Sequence, residues 1–576
     1  MPKTLSIDAR WRLGEADERA CALISNELGL SRLISRVLVR RGMTTPEEAR
    51  RFLSPRLEDI PDPFSLPGMD KAAARIGLAL ERGEGISIFG DYDADGVAGS
   101  AVIADFLEAC GGRCSVTLPK RRDEGYGITP DAVERLAKDG ANLMLTVDNG
   151  IGAAEAASRA HDLGIDLIIT DHHSPRGEIP KAHAVVNPKL IAGESPLKDL
   201  AGCGVAFMLA LAVRARLRGK GMLPSPEPNL KRSLDLVALG TIADVVPLTH
   251  ANRILVSFGL AEIARCTRPG IRALLDVSST APDQVSPNTV AFRLAPRINA
   301  AGRIDDPMVA LRLLRERSYA ETLPMARALD AANRERQGLE EACIAEAIER
   351  ISQDPALSDP GAIVIDSKGW HLGVIGIVAS RLASRFLRPS VVISRETSPA
   401  RGSARSFGGI NILEALSCCS DLMVRFGGHA EAAGLNIDES RIAELRSRLG
   451  EACASMAADA EPAALVLDAV AQPADISLSL VEELKGMAPF GVGNPEPIIA
   501  LEGARIEGRR TVGNGHLKLA LSSGGFAFDA IGFGMAESMQ GDVSTVSIAF
   551  TPQLNTYNGN TSLQLKLIAI APVQTH

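Results

Sequence analysis

The chain has 576 residues, of which 46% are hydrophobic and 23% charged, and a formal net charge of −8. That length exceeds what one hydrophobic core holds, so about three or four domains are expected, and the acidic balance excludes a protein that coats nucleic acid by bulk attraction. No apolar run reaches the ~18 uncharged residues of a membrane span, the charged start MPKTLSIDARWRLGEADERA has no apolar core of a secretion signal, and the nine scattered cysteines form no CxxC pair, so a cytoplasmic protein without membrane association and with free thiols is expected.

Residues 1–65 read as a helical lead-in that ends at the proline-rich IPDPFSLPGMD. From 66 to 260, short β-rich runs alternate with helical patterns: GISIFG (85–90), SVTLP (115–119), LMLTVDNG (143–150), DLIITDHH (166–173) and AVVNP (184–188). Apolar strands alternating with amphipathic helices predict a parallel, doubly wound sheet. Residues 261–352 are helical and finish in one long charged helix, 321–351, that connects to a second α/β unit at 353–457. From 462 to 576, HLKLAL, FAFDAIGF, VSIAF and LQLKLIAI alternate apolar and polar residues, with turn signals at Asn514-Gly515, Ser523-Gly524-Gly525 and Asn558-Gly559. This is an all-β domain, most simply an OB-like barrel, with a generic β-sandwich as the alternative. The expected fold is therefore α/β, with two α/β domains joined by a long helix and a C-terminal all-β barrel.

The acids at the strand ends carry the chemistry. In GISIFGDYDADG, an apolar strand runs into Asp91, Asp93 and Asp95 before a helix begins. Carboxylates this close repel by roughly 1–4 kcal/mol per pair depending on the local dielectric, so a strand end collects them only to bind cations. A helix cap or turn explains one of the three. The next strand ends deliver Asp148, then Asp171, His172 and His173, and the helical LDLVALGTIADVVPL adds Asp235 and Asp244. Singly, Asp-Asn-Gly is an ordinary turn and a histidine pair an ordinary surface or core feature. Open α/β sheets, however, gather their sites at the carboxyl ends of strands, so these clusters converge in one crevice. Oxygen-rich ligands with an imidazole and no thiolate suit Mg²⁺ or Mn²⁺, the imidazole tilting the choice toward Mn²⁺. The carboxylates are too many for one ion. Two ions roughly 3.5–4 Å apart, sharing a carboxylate, activate water and stabilise the attacking and leaving oxygens of an in-line displacement at phosphorus.

DYDADG, VDNG, DHH and GTIAD, in this order, resemble the four motifs of the DHH phosphoesterase superfamily. The resemblance implies that Asp93 and Asp148 hold one metal while Asp95, Asp148, His172 and Asp244 hold the other. Small-substrate members carry a histidine four residues before the first metal aspartate, where this chain has Phe89. Asp91 or water is then expected to complete the first metal, and His173 to serve as acid/base or as a support.

GSARSFGGINI (402–412) and RFGGHAEAAG (425–434) resemble the DHHA1 substrate-binding domain. There Ser403, Arg405, Ser406, Gly427, Gly428 and His429 offer close backbone approach, charge and hydrogen bonds to phosphate. PKRRDEGYG (119–127), GCGVAFMLAL (202–211), APRINAAGRI (295–304), WHLGVIGIVASR (370–381) and MAPFGVGNPEP (487–497) are similar to blocks of the RecJ family. That family implies 5′-to-3′ hydrolysis of single-stranded DNA to 5′-mononucleotides, in recombination and repair. It makes 66–260 the catalytic domain, 353–457 the substrate-binding domain and 462–576 an OB-fold nucleic-acid-binding domain. Arg121, Arg122, Tyr126, Arg297, Asn299 and Arg303 then become substrate contacts, with Arg121, Ser403 and Arg405 on a 5′-terminal phosphate. Single-strand-binding protein, a RecQ-type helicase and a monomeric state are further implications of the resemblance. Two tryptophans and four tyrosines leave few stacking platforms, Phe407, Phe490, Tyr126 and Tyr557 among them.

Overall fold

The computed structural model describes residues 11–120, 127–175, 177–304, 306–354, 357, 361–458, 464–539, 543–557 and 560–572. Residues 54–334 with 488–495 form one compact unit, and 1–53, 335–487 and 496–576 form the other.

The first unit is built on five parallel strands: β1 (Gly85–Gly90), β2 (Arg113–Thr117), β3 (Leu143–Val147), β4 (Asp166–Thr170) and β5 (Ala184–Val186). Their spatial order is β2-β1-β3-β4-β5. Every residue of β3, LMLTV, is buried, as a central parallel strand covered on both faces requires. The chain leaves β1 for β2 on one side and then returns to β3 on the other. This switch point opens a crevice at the carboxyl ends of β1 and β3.

Helices α1 (Ala94–Ala109) and α2 (Gly202–Gly219) pack over this sheet, and α3 (Leu234–Ala243) packs on both of them. They are apolar nearly all round, hence buried: every residue of α3 from Leu234 to Ile242 is inside. Farther on, Pro287–Thr289, a π-helical turn at Val290–Leu294 and α4 (Ala295–Ile304) follow one another without a break. The long charged helix expected at 321–351 is α5, Tyr319–Gln353.

In the second unit, helices Glu18–Leu28, Arg32–Arg40 and Pro46–Leu53 form the lead-in, and Trp11–Leu13 pairs in parallel with Leu465–Leu467. Strands β6 (Ile363–Ser367), β7 (Ser390–Ser394), β8 (Ala400–Arg405), β9 (Met423–Gly428) and β10 (Ala432–Ile437) make a sheet ordered β9-β10-β8-β7-β6. Only β6 and β7 are parallel, joined by helix α6 (Ile375–Phe386), and the remaining pairs are antiparallel.

The last strands are β11 (Ala469–Val470), β12 (Ile499–Val512), β13 (His516–Ser523), β14 (Phe526–Gly532), β15 (Thr545–Tyr557) and β16 (Asn560–Pro572). β12 pairs with both β13 and β15, which closes a five-stranded barrel through β14 and β16. Closure removes the exposed edges a sandwich would leave. Asn514-Gly515 and Ser523-Gly524-Gly525 lie between paired strands as their turn chemistry requires, while Asn558-Gly559 falls outside the described residues. All nine cysteines are free.

Candidate metal centre and nucleic-acid site

Each strand-end acid continues the hydrogen-bond ladder of its strand by one residue. Asp91 N donates to Val147 O at 3.1 Å, Asp148 N to Thr170 O at 2.9 Å and Asp171 N to Val186 O at 3.1 Å. The sheet itself therefore fixes where these side chains start. Asp148 does so in the left-handed region, φ 66°, a conformation that aspartate tolerates better than most residues. Asp93 caps α1, accepting from Asp95 N at 3.0 Å and Gly96 N at 3.1 Å.

Asp95 is held by backbone. Its Oδ2 accepts from Gly202 N at 2.6 Å and its Oδ1 from Cys203 N at 3.0 Å, both at the start of α2. Only glycine fits at 202, since a Cβ there would lie 2.5 Å from Asp148 Oδ1, and one at Gly240 of α3 would lie 2.6 Å from Asp95 Oδ1. The GCG block at 202–204 thus owes part of its composition to the acids it touches. Side-chain patterns could not reveal this, because the groups involved are backbone N–H.

Among the described residues, three sets offer candidate ligand atoms that lie within 4.8 Å of one another inside each set: Asp91, Asp93 and Asp148; Asp95, His172 and Asp244; and Asp148, His172 and His173. Asp148 belongs to two of them. His172 Nε2 is buried without a hydrogen-bond partner among the described residues, 3.1 Å from Asp148 Oδ1 and 3.4 Å from Asp244 Oδ2. An imidazole nitrogen so placed converges with the carboxylates on a common point. Oxygen donors with one imidazole fit Mn²⁺ or Mg²⁺. Phe89 is 1% exposed and packs among Ile128, Val133, Met144 and Ile169. Its position belongs to the core, and Asp91 is the acid gathered with Asp93.

Asp171 supports the histidines. It accepts from Ile151 N at 2.9 Å, His172 N at 2.7 Å and His173 N at 3.1 Å, and it bonds His173 Nδ1 at 2.7 Å. Asp235 does not join the acids. It sits at the opposite end of α3 from Asp244 and is paired with Arg268 Nε at 2.7 Å, which corrects its candidacy as a ligand.

Crowding and burial set the protonation of the cluster. Burial, reinforced by Asp95, Asp93, Asp91 and Asp244, holds the Asp148 carboxyl well above the usual carboxylate range. Asp244 is pushed up to about 8 by burial and then by Asp95 and Asp93, and burial likewise raises Asp95. Burial lowers the His172 imidazole, leaving it a neutral ligand. For His173 burial acts downward, but the hydrogen bond and charge of Asp171 carry it up to about 9. The neighbouring Cys203 thiol is held protonated by burial and by Asp95, so no thiolate competes as a ligand. Without cations, then, burial and mutual repulsion push these acids toward their protonated forms, and bound cations relieve that repulsion.

Of the expected substrate contacts, Arg121, Arg122 and Tyr126 lie outside the described residues, as does the side chain of Arg303. Asn299 Oδ1 accepts from Ala94 N at 2.7 Å, which fastens α4 to the start of α1 beside Asp93. Arg297 ion-pairs with Asp330 at 2.7 Å. Phe292, on the π-helical turn that leads into α4, is 77% exposed, and no motif in the sequence marks it.

In the second unit, register brings the expected residues to one end of three adjacent strands. Ser403 pairs with Gly434, which pairs with Gly427, while Arg405 pairs with Ala432. His429 N donates to Ala432 O at 2.7 Å in the connecting turn. Arg405 Nη1 donates to Ser403 Oγ at 2.8 Å, and the first turn of α6 lies against both side chains. Ser406 Oγ is engaged by Ile410 O, and Gly428 pairs with Ala433.

The family model for the DHH family N-terminal domain matches residues 85–241, that for the DHHA1 domain 359–455 and that for the RecJ OB domain 467–569. The single-stranded-DNA-specific exonuclease RecJ of Bacillus subtilis is 38% identical over 98% of this chain and 71% of its own length. The Salmonella typhimurium protein of the same name is 37% identical over 98% of this chain and 99% of its own length. The crystal structure of RecJ from Thermus thermophilus in complex with Mn²⁺ superposes with a TM-score of 0.82 at 32% identity, covering 98% of this chain and 80% of that one. Its complex with Mg²⁺ gives a TM-score of 0.77 at 31% identity, over 98% and 79% of the two chains.

Proposed function

Since this chain belongs to the RecJ family of single-stranded-DNA-specific exonucleases, we propose that it hydrolyses single-stranded DNA from the 5′ end, releasing 5′-mononucleotides with the help of two divalent cations, Mn²⁺ or Mg²⁺. The observation that carries this reading is the gathering of three ligand groups, two of them sharing Asp148 and two sharing His172, at the switch point of the parallel sheet.

Asp91, Asp93 and Asp148 would hold one ion, and Asp95, Asp148, His172 and Asp244 the other. When bound, such a pair supplies an activated water and charge stabilisation on both sides of an in-line displacement at phosphorus. The chain's own residues do the rest. Gly202 and Cys203 aim Asp95 by two backbone hydrogen bonds, and Asp171 orients His172 and His173. His173, held in its charged form through neutral pH by Asp171, is suited to donate to the phosphate or to the leaving 3′ oxygen. Arg405 and Ser403, with Gly427, Gly428 and His429 at the same end of the neighbouring strands and Ser406 beside them, would receive a 5′-terminal phosphate, and Arg121 and Arg122 would add charge. Asn299, Arg297, Arg303 and Tyr126 would contact the strand next to the metals. The C-terminal barrel offers a further strand-binding surface, as OB folds do.

The reading extends to a monomer acting in the cytoplasm in recombination and repair. No helix among the described residues is long and apolar enough to cross a membrane. An enzyme confined to single strands needs a supply of them, which is the argument for single-strand-binding protein and a RecQ-type helicase as partners. Turnover on a long 5′-phosphorylated single strand, on the same sequence as a duplex and on dinucleotides tests the substrate class. The long single strand should be hydrolysed fastest, and faster turnover of dinucleotides would replace this reading with that of a small-substrate phosphodiesterase.

A further inference from the structure

The second ligand group depends on two helices that run in opposite directions. α1 starts beside Asp95 and reaches Asp105 about 15 Å farther on, whereas α3 starts at Asp235 and delivers Asp244 at its end. At the metal end they touch without slack, because Gly240 leaves no room for even a methyl group against Asp95. At the far end a single guanidinium joins them. Arg268 Nε bonds Asp235 Oδ2 at 2.7 Å, and Arg268 Nη1 bonds Asp105 Oδ2 at 3.2 Å and Leu314 O at 2.8 Å. Arg315 completes the network, with Nε on Asp105 Oδ1 at 2.8 Å and Nη2 on Glu108 Oε2 at 2.6 Å. Asp235 is 2% exposed, so without Arg268 its charge would be buried unpaired and would face that of Asp105.

We propose that Arg268 is a positioning residue for the second metal: by tying Asp105 to Asp235 it sets where α3 places Asp244 against Asp95. The first group, Asp91, Asp93 and Asp148, contains no residue of α3, and two of its three acids follow strands directly. Loosening the clamp therefore displaces one ligand group and spares the other. This inference rests on the metal reading above, and its test separates the two.

The experiment is a calorimetric Mn²⁺ titration of the metal-free full chain, with apparent Mn²⁺ requirement and kcat measured alongside. Wild type should show two binding events. Arg268→Met should weaken one of them tenfold or more and leave the other within twofold, raising the Mn²⁺ requirement while kcat at saturating Mn²⁺ stays within a few-fold of wild type. Arg268→Lys should fall between, since an ammonium cannot reproduce the planar fork that reaches both carboxylates. Asp244→Ala is the control. If it keeps both events, the metal reading fails; if it loses one while the Arg268 variants lose none, or weaken both equally, the positioning proposal is overturned. Should Arg268→Met not fold, Arg268→Lys with both affinities unchanged overturns it as well.

Discussion

Asp148 is buried on the left-handed backbone of a strand end, shares two ligand groups and has its carboxyl held well above the usual carboxylate range by burial and four neighbouring acids. In the presence of metal, Asp148→Ala should lower hydrolysis by about 10³-fold or more, because both ions lose a ligand. Single-strand binding should persist. In chelator the same variant should melt higher than wild type, since folding no longer has to bury this carboxyl among other acids, either charged against them or protonated at a cost. Unchanged hydrolysis would remove Asp148 from the site, and a lower melting point in chelator would contradict the repulsion. The acids of this site are legible in the sequence because carboxylates crowded at strand ends repel one another unless cations hold them together. Their supports are less so. Gly202 and Cys203 act through backbone N–H, and Asp235 carries the same side chain as a ligand while sitting at the wrong end of its helix. Only the distance between helix ends separates Asp235 from Asp244.

Elements explain which residues meet. The five parallel strands are readable from continuous apolar runs, and the barrel from period-two alternation. Register is what the sequence withholds: nothing in RFGGHAEAAG states that Gly427 shares a row with Gly434 and Ser403. The π-helical turn at Val290–Leu294 is hidden for a similar reason, since it changes the hydrogen-bond spacing and leaves composition alone. On that turn stands Phe292, exposed, seven residues before Asn299, which is bonded to the start of α1. That separation is about 10 Å along a helix, or one to two nucleotides of an extended strand. Phe292→Ala should raise KM on single-stranded DNA about fivefold, the low end of one stacked base, and leave kcat within twofold. Steady-state kinetics would check this, and an unchanged KM would leave Phe292 without a part in binding.

At the scale of the whole molecule, protons and metal compete. The Asp244 carboxyl titrates at about 8 in the folded chain and near 3.9 when unfolded. The metal-free fold therefore binds this proton more tightly than the unfolded chain does. The stability so gained is complete below about pH 4 and is lost as pH rises through about 8. Melting temperature in chelator should fall between pH 5 and pH 8.5, and saturating Mn²⁺ should flatten or reverse the fall, because cations bind the deprotonated acids. A melting temperature in chelator that is flat with pH would contradict the buried cluster. With a formal charge of −8, the chain gains no bulk attraction for DNA, so substrate must be drawn by local cations and by the metals themselves. Metal dependence, single-strand specificity and polarity together define the proposed enzyme, and one time course reads all three. Single strands labelled at the 5′ or the 3′ end, with matched duplex controls, are incubated with Mn²⁺, with Mg²⁺ or with chelator. The 5′ label should appear at once as a mononucleotide, the 3′-labelled strand should shorten progressively, and duplex and chelator samples should stay intact. Early release of the 3′ label, internal cuts, or hydrolysis in chelator would contradict a metal-dependent exonuclease working from the 5′ end.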